Sequence, residues 1–188
     1  MLKSLRQRGF TLAEILVAIT IIALLTAVIV PTIGGKLRQS QATAVADELT
    51  NLTTAINAYR QNVLRYPYKL DLLTNTPVAG TSQDICGTLM VAANVNKWQG
   101  PYLSRPIATS TDFPVGDAVV NDQLVRTPVS GAGVGTLQIK IDVVDTVAAV
   151  ALEAQYDGNA DFTTGSIVWT RTNPGVGTLV YAIPIRGC

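Results

Sequence analysis

RQRGFTLAEILVAITIIALLTAVIVPTIGGK, from Arg6 to Lys36, decides how this chain is read. A short basic leader ends in Gly9, a lone carboxylate stands at Glu14, and no charged residue follows between Ile15 and Gly35. That run matches the roughly 20 apolar residues a helix needs to cross a bilayer core. Lys3, Arg6 and Arg8 lie just before it, which predicts a cytoplasmic N-terminus with the remainder translocated. Glu14 is out of place in a plain anchor. A charge at the centre of a membrane helix costs about 2.5–3.5 kcal/mol, so such a residue usually has a function and a partner.

Other readings of the stretch divide on its flanks. A secretory signal peptide has a shorter apolar region followed by a small-x-small cleavage site, and VIVPTIGGKL, residues 28–37, offers none. A simple signal anchor has the same hydrophobicity and differs only in the RGFTLAE context. With glycine, phenylalanine, a threonine-leucine pair and a spaced glutamate before the apolar run, the stretch resembles the class III leader of type IV pilins and of type II secretion pseudopilins. The resemblance is strong from Arg6 to about Ile33 and weaker beyond. It implies that a prepilin peptidase/N-methyltransferase cuts between Gly9 and Phe10 and methylates Phe10. It also implies that Glu14 serves assembly by pairing with the Phe10 amine of a neighbouring subunit, and that Pro31 is the proline at which the helix kinks or melts. A buried pair of this kind is hard to break, because either partner alone is an uncompensated charge. The other reading of Glu14 is a side chain snorkelling to the nearby interface.

The expected organisation is a leader at 1–9, a transmembrane and filament-core helix at 10–35, and an extracytoplasmic head at 36–188. At 188 residues the chain suits one modest domain plus an anchor. Charge is sparse at 14%, the net charge is +1 and histidine is absent. That removes histidine-based catalysis and any basic footprint for nucleic acid. Cys86 and Cys188 are the only cysteines, and translocation would expose them to an oxidising compartment. A disulfide between them is expected, with two free buried thiols as the alternative. Pilins often close their C-terminal region in this way, although Cys86 sits early for one.

Past the membrane run the pattern becomes one-sided. Val45, Leu49, Leu52, Ile56, Tyr59 and Val63 recur at steps of four and three, the stripe of an amphipathic helix. One helix from about Phe10 to Leu64, roughly 80 Å long, is predicted to end before Pro67, whose ring disfavours a helical Tyr66. Pro31, with Gly34 and Gly35, weakens it, and local melting is expected between about Ala23 and Gly35. A polar loop at Asn75–Gln83 follows, then a short helix capped by Asp84 and running to about Asn96. WQGPYL, within Lys97–Pro106, is similar to an element of major pseudopilins, but DFPVG at Asp112–Gly116 departs from the Asp-Pro-Trp-Gly that usually follows there.

Alternating apolar residues predict strands at Ala118–Arg126 and Thr136–Val143, separated by the turn-rich PVSGAGVG. A helix capped by Asp145 is predicted over Thr146–Tyr156. A hairpin is predicted from Ser166–Thr172 and Thr178–Ile185 around NPGVG. The fold class is α+β: a long N-terminal helix, hydrophobic then amphipathic, packed on a small antiparallel sheet.

Chemistry in the head is thin. Asp157, Asn159 and Asp161 alternate in DGNADFTTG as calcium-loop ligands do. Phe162 and Val168 stand where an EF-hand needs glycine and glutamate, so an EF-hand is excluded. Major pseudopilins hold calcium in a C-terminal loop, which leaves a calcium site here as one expectation; a helix C-cap and polar turn is the other. No cofactor is otherwise expected. Gly131, Gly133 and Gly135 lack the strand-to-helix setting of a dinucleotide site.

The sequence therefore reads as a non-enzymatic pilin. It would be held in the inner membrane before assembly and then polymerised with copies of itself and related pilins into a helical filament through an inner-membrane assembly platform. A pseudopilin of a type II secretion system is the alternative. A single-pass membrane-anchored binding module is the second.

Overall fold

The structure is a computed structural model that describes residues 10–128, 133–159 and 161–188, and for residues 28–38 the backbone alone. The leader at 1–9 lies outside the described residues. The chain divides into two units, one ending at Leu37 and one running from Arg38 to Cys188.

The helix α1 spans Leu12–Val63, 52 residues, within two residues of the predicted ends. Its backbone stays helical through Pro31 and the paired glycines, so the melting expected between Ala23 and Gly35 is not present in the single chain. The predicted stripe is buried as a set: Val45, Leu49, Leu52, Tyr59 and Val63 are fully inaccessible and Ile56 nearly so. Each such side chain contributes roughly 1.5–3 kcal/mol of burial. Val63 ends the helix and Leu64 takes a positive φ of 62°.

A 3-10 turn at Leu70–Leu73 follows, and then the loop to α2, Ala92–Val95. The helix expected from Asp84 to Asn96 is thus a single turn at its far end. Asp84 is spent differently. Its Oδ1 accepts from the backbone N–H groups of Cys86 and Thr88, at 3.0 and 2.9 Å, and its Oδ2 pairs with Arg65 at 3.1 Å. An aspartate that closes a tight turn on its own backbone competes with helix formation. The WQGPYL element lies against this region. Trp98 Nε1 donates to Leu72 O at 3.1 Å, and the Tyr102 hydroxyl accepts from Asn62 Nδ2 at 3.0 Å. The glycine of that element is required, because a Cβ on Gly100 would stand 2.4 Å from the Trp98 ring.

The sheet is antiparallel throughout. Its strands are β1 Phe113–Val115, β2 Ala118–Val120, β3 Val125–Thr127, β4 Val134–Asp145, β5 Ile167–Asn173 and β6 Val176–Arg186. The order is β1-β2-β4-β6-β5, with β3 also paired to β4. β2 and β3 therefore lie along the same side of β4: Val120 faces Ile141, and Val125 faces Gln138. The single strand predicted at Ala118–Arg126 is split because Asp122–Leu124 leaves the ladder to bond elsewhere. Leu70 N donates to Asp122 O at 2.8 Å and Leu124 N to Tyr68 O at 3.0 Å. β1 was not anticipated.

β4 carries a bulge between Ile141 and Val144, where Val143 has φ 62° and Thr178 Oγ1 donates to Asp142 Oδ1 at 2.6 Å. The helix α3, Thr146–Tyr156, is placed as predicted, with Asp145 accepting from Val147 N at 2.8 Å as its N-cap. The β5–β6 hairpin is also as predicted. At Gly177 a Cβ would meet the Trp169 ring at 2.6 Å and Thr170 O at 2.4 Å, so only glycine lets β6 pass there. Leu137, Ile139, Ile141, Ile167 and Leu179 of the sheet join the α1 stripe and Leu152 of α3 in one core.

Candidate functional site

Phe10 precedes α1 and is 83% exposed. Every leucine, isoleucine and valine from Leu12 to Leu25 is more than half exposed in the single chain, Ile15 at 51% and Leu24 at 71% among them. A continuous apolar surface of this kind on one helix demands a cover of lipid or protein. Among the described residues no helix is long and apolar enough to cross a membrane. The sequence run ending at Gly35 extends into residues whose side chains lie outside the description, as do Gly9 and the side chain of Pro31.

Glu14 is held at the start of α1 by its own chain. Its Oε2 accepts from the Thr11 N–H at 2.9 Å and from Thr11 Oγ1 at 3.0 Å. Glu14 N donates back to Thr11 Oγ1 at 3.2 Å. This reciprocal arrangement is a capping box, the S/T-x-x-E signature of a helix start. The sequence reading took Glu14 only as a charge and missed Thr11, although T-L-A-E carries the signal. The structure thus sets the carboxylate next to the chain segment where cleavage after Gly9 would create an ammonium group.

Cys86 and Cys188 form the expected disulfide, with Cα atoms 5.6 Å apart and 102 positions between them in sequence. Beside it the Tyr66 N–H donates to Cys188 O at 2.7 Å, and Ile85 N donates to Tyr66 O at 3.0 Å. The bond therefore fastens the chain beyond β6 to the loop at Cys86, which Ile85 in turn ties to Tyr66.

Asp157, Asn159 and Asp161 lie together in the loop after α3, with their oxygens already engaged. Asp157 accepts from Ser166 N and Ile167 N at 2.9 and 2.8 Å. Asn159 Oδ1 accepts from Asp161 N at 3.1 Å. Asp161 accepts from Thr163 N, Thr163 Oγ1 and Thr164 Oγ1, bonds that hold its carboxyl below the usual aspartate range. Among the described residues no three histidine, cysteine, aspartate or glutamate side chains stand close enough to hold a metal ion. The donor set is that of a self-bonded turn and does not fit a calcium ion as it stands. Nearby Glu153, which no sequence pattern singled out, is fully buried with neither carboxyl oxygen partnered among the described residues.

Comparison with known proteins bears on the N-terminal segment. The family model described as a prokaryotic N-terminal methylation motif matches residues 4–30. The match is confined to that N-terminal stretch. The motif spans the Gly9–Phe10 junction, Thr11, Glu14 and the exposed apolar turns that follow. The chain is 40% identical over 78 residues to the type II secretion system core protein G of Aeromonas hydrophila, covering 39% of this chain and 54% of that protein. It is 32% identical over 92 residues to the core protein G of Escherichia coli (strain K12), covering 49% and 59%. The Klebsiella pneumoniae core protein G is 39% identical over 62 residues, covering 33% and 44%. The chain thus spans about half the length of the curated relatives it matches. No solved structure matches it. The resemblance to pilins and pseudopilins drawn from RGFTLAE is borne out by both findings.

Proposed function

We propose that this protein is a structural subunit of a type IV pilus-like filament, not an enzyme. It is made as an inner-membrane precursor, cut by a prepilin peptidase between Gly9 and Phe10, methylated at Phe10, and polymerised with copies of itself and related pilins through α1. The observation that carries the reading is the methylation motif running directly into a helix whose apolar side chains are uncovered in the single chain. Before assembly, lipid covers that surface; in the filament, neighbouring helices do.

The assembly step is electrostatic. Glu14 now accepts from Thr11 within its own chain. A methylated ammonium at the Phe10 of a neighbour offers it a charged donor instead, and a charge-assisted bond is roughly twice as strong as a neutral one. In the apolar surroundings of packed helices that difference sets the stagger between subunits. The head, from Arg38 onward, is carried outside.

A second reading, a type II secretion pseudopilin, is supported by the relatives, which are named type II secretion system core protein G, and by WQGPYL. Both readings share the same test. Intact mass and N-terminal sequence of the protein from its host should give a chain beginning at N-methyl-Phe10, and Glu14→Ala should insert normally yet fail to enter filaments. A mature, functional chain that keeps residues 1–9 would overturn the proposal in favour of a simple membrane-anchored module.

A further inference from the structure

Three carboxylates from separate parts of the head meet where the segment leaving α1 touches the β2–β3 connection. Asp122 is 3% exposed and Asp71 is 4% exposed, a depth at which aspartate is seldom found without a full set of donors. Asp122 Oδ1 accepts from the Asp71 N–H at 2.8 Å, and Asp122 N donates to Asp112 Oδ1 at 2.8 Å. Asp71 Oδ2 accepts from Ser110 N at 3.0 Å, while Asp71 Oδ1 is buried with no partner among the described residues. Lys69 supplies the cation of the group, and its Nζ is spent on Ser110 Oγ at 2.6 Å. Ser110 itself sits at φ 54°.

These groups lie on a latch. The Tyr68–Asp71 segment is tied to Asp122–Leu124 by Leu70 N to Asp122 O, Leu124 N to Tyr68 O, and the Asp71–Asp122 bond. The chain leaves the ladder at Asp122–Leu124 to make these contacts. With all three aspartates ionised, one ammonium faces three negative charges, two of them on buried carboxylates, and one carboxylate oxygen goes unsatisfied among the described residues. A single proton on Asp122 removes its repulsion with the Asp71 and Asp112 carboxylates.

We infer that the Asp71–Asp112–Asp122 cluster is an acid-responsive latch, which takes up one proton at Asp122 and thereby tightens the join between the segment after α1 and the sheet. The groups that face Asp122 are Asp71 and Lys69 from the segment after α1 and Asp112 from the loop before β1. Burial, reinforced by the Asp71 and Asp112 carboxylates, pushes its pKa up to about 6, against the Asp71 N–H and Lys69, which pull it down. The sign follows from linkage: a carboxyl whose pKa is raised by the closed state binds its proton more tightly there than when open. Closure is therefore favoured in mild acid and loosened as pH rises through about 6.

The test is amide hydrogen exchange and carboxyl ¹³C titration on the full chain in detergent micelles. Protection factors of the Leu70, Asp71 and Leu124 amides, corrected for intrinsic exchange, should rise about tenfold from roughly pH 7 to pH 5. The Asp122 carboxyl should titrate well above the ordinary aspartate range. Asp122→Asn should give high protection at both pH values, since its Oδ1 still accepts from Asp71 N. Should that variant not fold, Asp112→Asn, at the exposed edge of the cluster, should move the Asp122 titration to lower pH. Protection that is flat with pH, an Asp122 that titrates at the ordinary value, or a wild-type pH response retained in Asp122→Asn would each overturn the inference.

Discussion

Replacing both Cys86 and Cys188 with serine should destabilise the unit from Arg38 to Cys188 by about 3–4 kcal/mol. The bond closes a loop of 102 positions, for which the chain-entropy estimate is about 4.7 kcal/mol at 25 °C. That estimate is an upper limit where the unfolded chain keeps structure of its own. The native ends should barely move without the bond. Tyr66 N still donates to Cys188 O at 2.7 Å, and β6 still pairs with β4 from Val176 to Arg186. The loss is therefore placed in the unfolded state. Urea unfolding of the unit, oxidised, reduced and doubly substituted, measures it, and for a domain of this size the thermal midpoint should fall by about 10 °C. Two results would refute the reasoning. One is a loss under about 1 kcal/mol, which would mean the denatured chain gains nothing from release. The other is a clear difference between the reduced wild type and the double serine variant, which would put the effect in local packing.

Leu52→Ala, at a fully buried position of the α1 stripe, should cost about 2–5 kcal/mol in the same unfolding assay. Asp145→Ala removes the bond to Val147 N and should cost about 1 kcal/mol of thermal stability. Glu153→Gln should stabilise the head at neutral pH by about 1–2 kcal/mol, since a buried carboxylate without partners among the described residues becomes a neutral amide. Burial, then the Asp157 and Asp161 carboxylates, holds the Glu153 pKa above its ordinary value. The wild-type penalty is thus absent below that ordinary value and grows as pH climbs toward the raised one, a trend the variant should lack. Because the Asp157–Asp161 loop uses its oxygens on itself, calorimetric titration with calcium chloride should show no uptake. Uptake that stabilises the head would assign the loop and Glu153 to an ion.

How much of this was legible in the sequence depends on the distance over which each feature is decided. The α1 stripe, the Asp145 cap and the β5–β6 hairpin are local, fixed by periodicity, one carboxylate and NPGVG, and they fell where expected. The Cys86–Cys188 pair was legible because there was no other choice. Asp84 was misread because a helix cap and an Asx turn use the same residue, and only the Arg65 partner and the shape of the loop separate them. The break between β2 and β3 could not be read at all, since Asp122 leaves the ladder for Asp71, 51 positions away. At the assembly segment, charge and hydrophobicity identified Glu14. The role of Thr11 was present in the four-residue spacing but was masked by the attention an isolated charge attracts.

The strand order has a consequence for how the head is made. β6 lies between β4 and β5 yet emerges after both. A chain that emerges in sequence order therefore presents β4 with one side unfilled, and β5 with no neighbour, until the last strand arrives. Open strand edges recruit other chains, and long-range pairing is slow to form. If the head is exported as proposed, it passes through a stage at which chaperone protection, or a low local density of nascent copies, decides between folding and clumping.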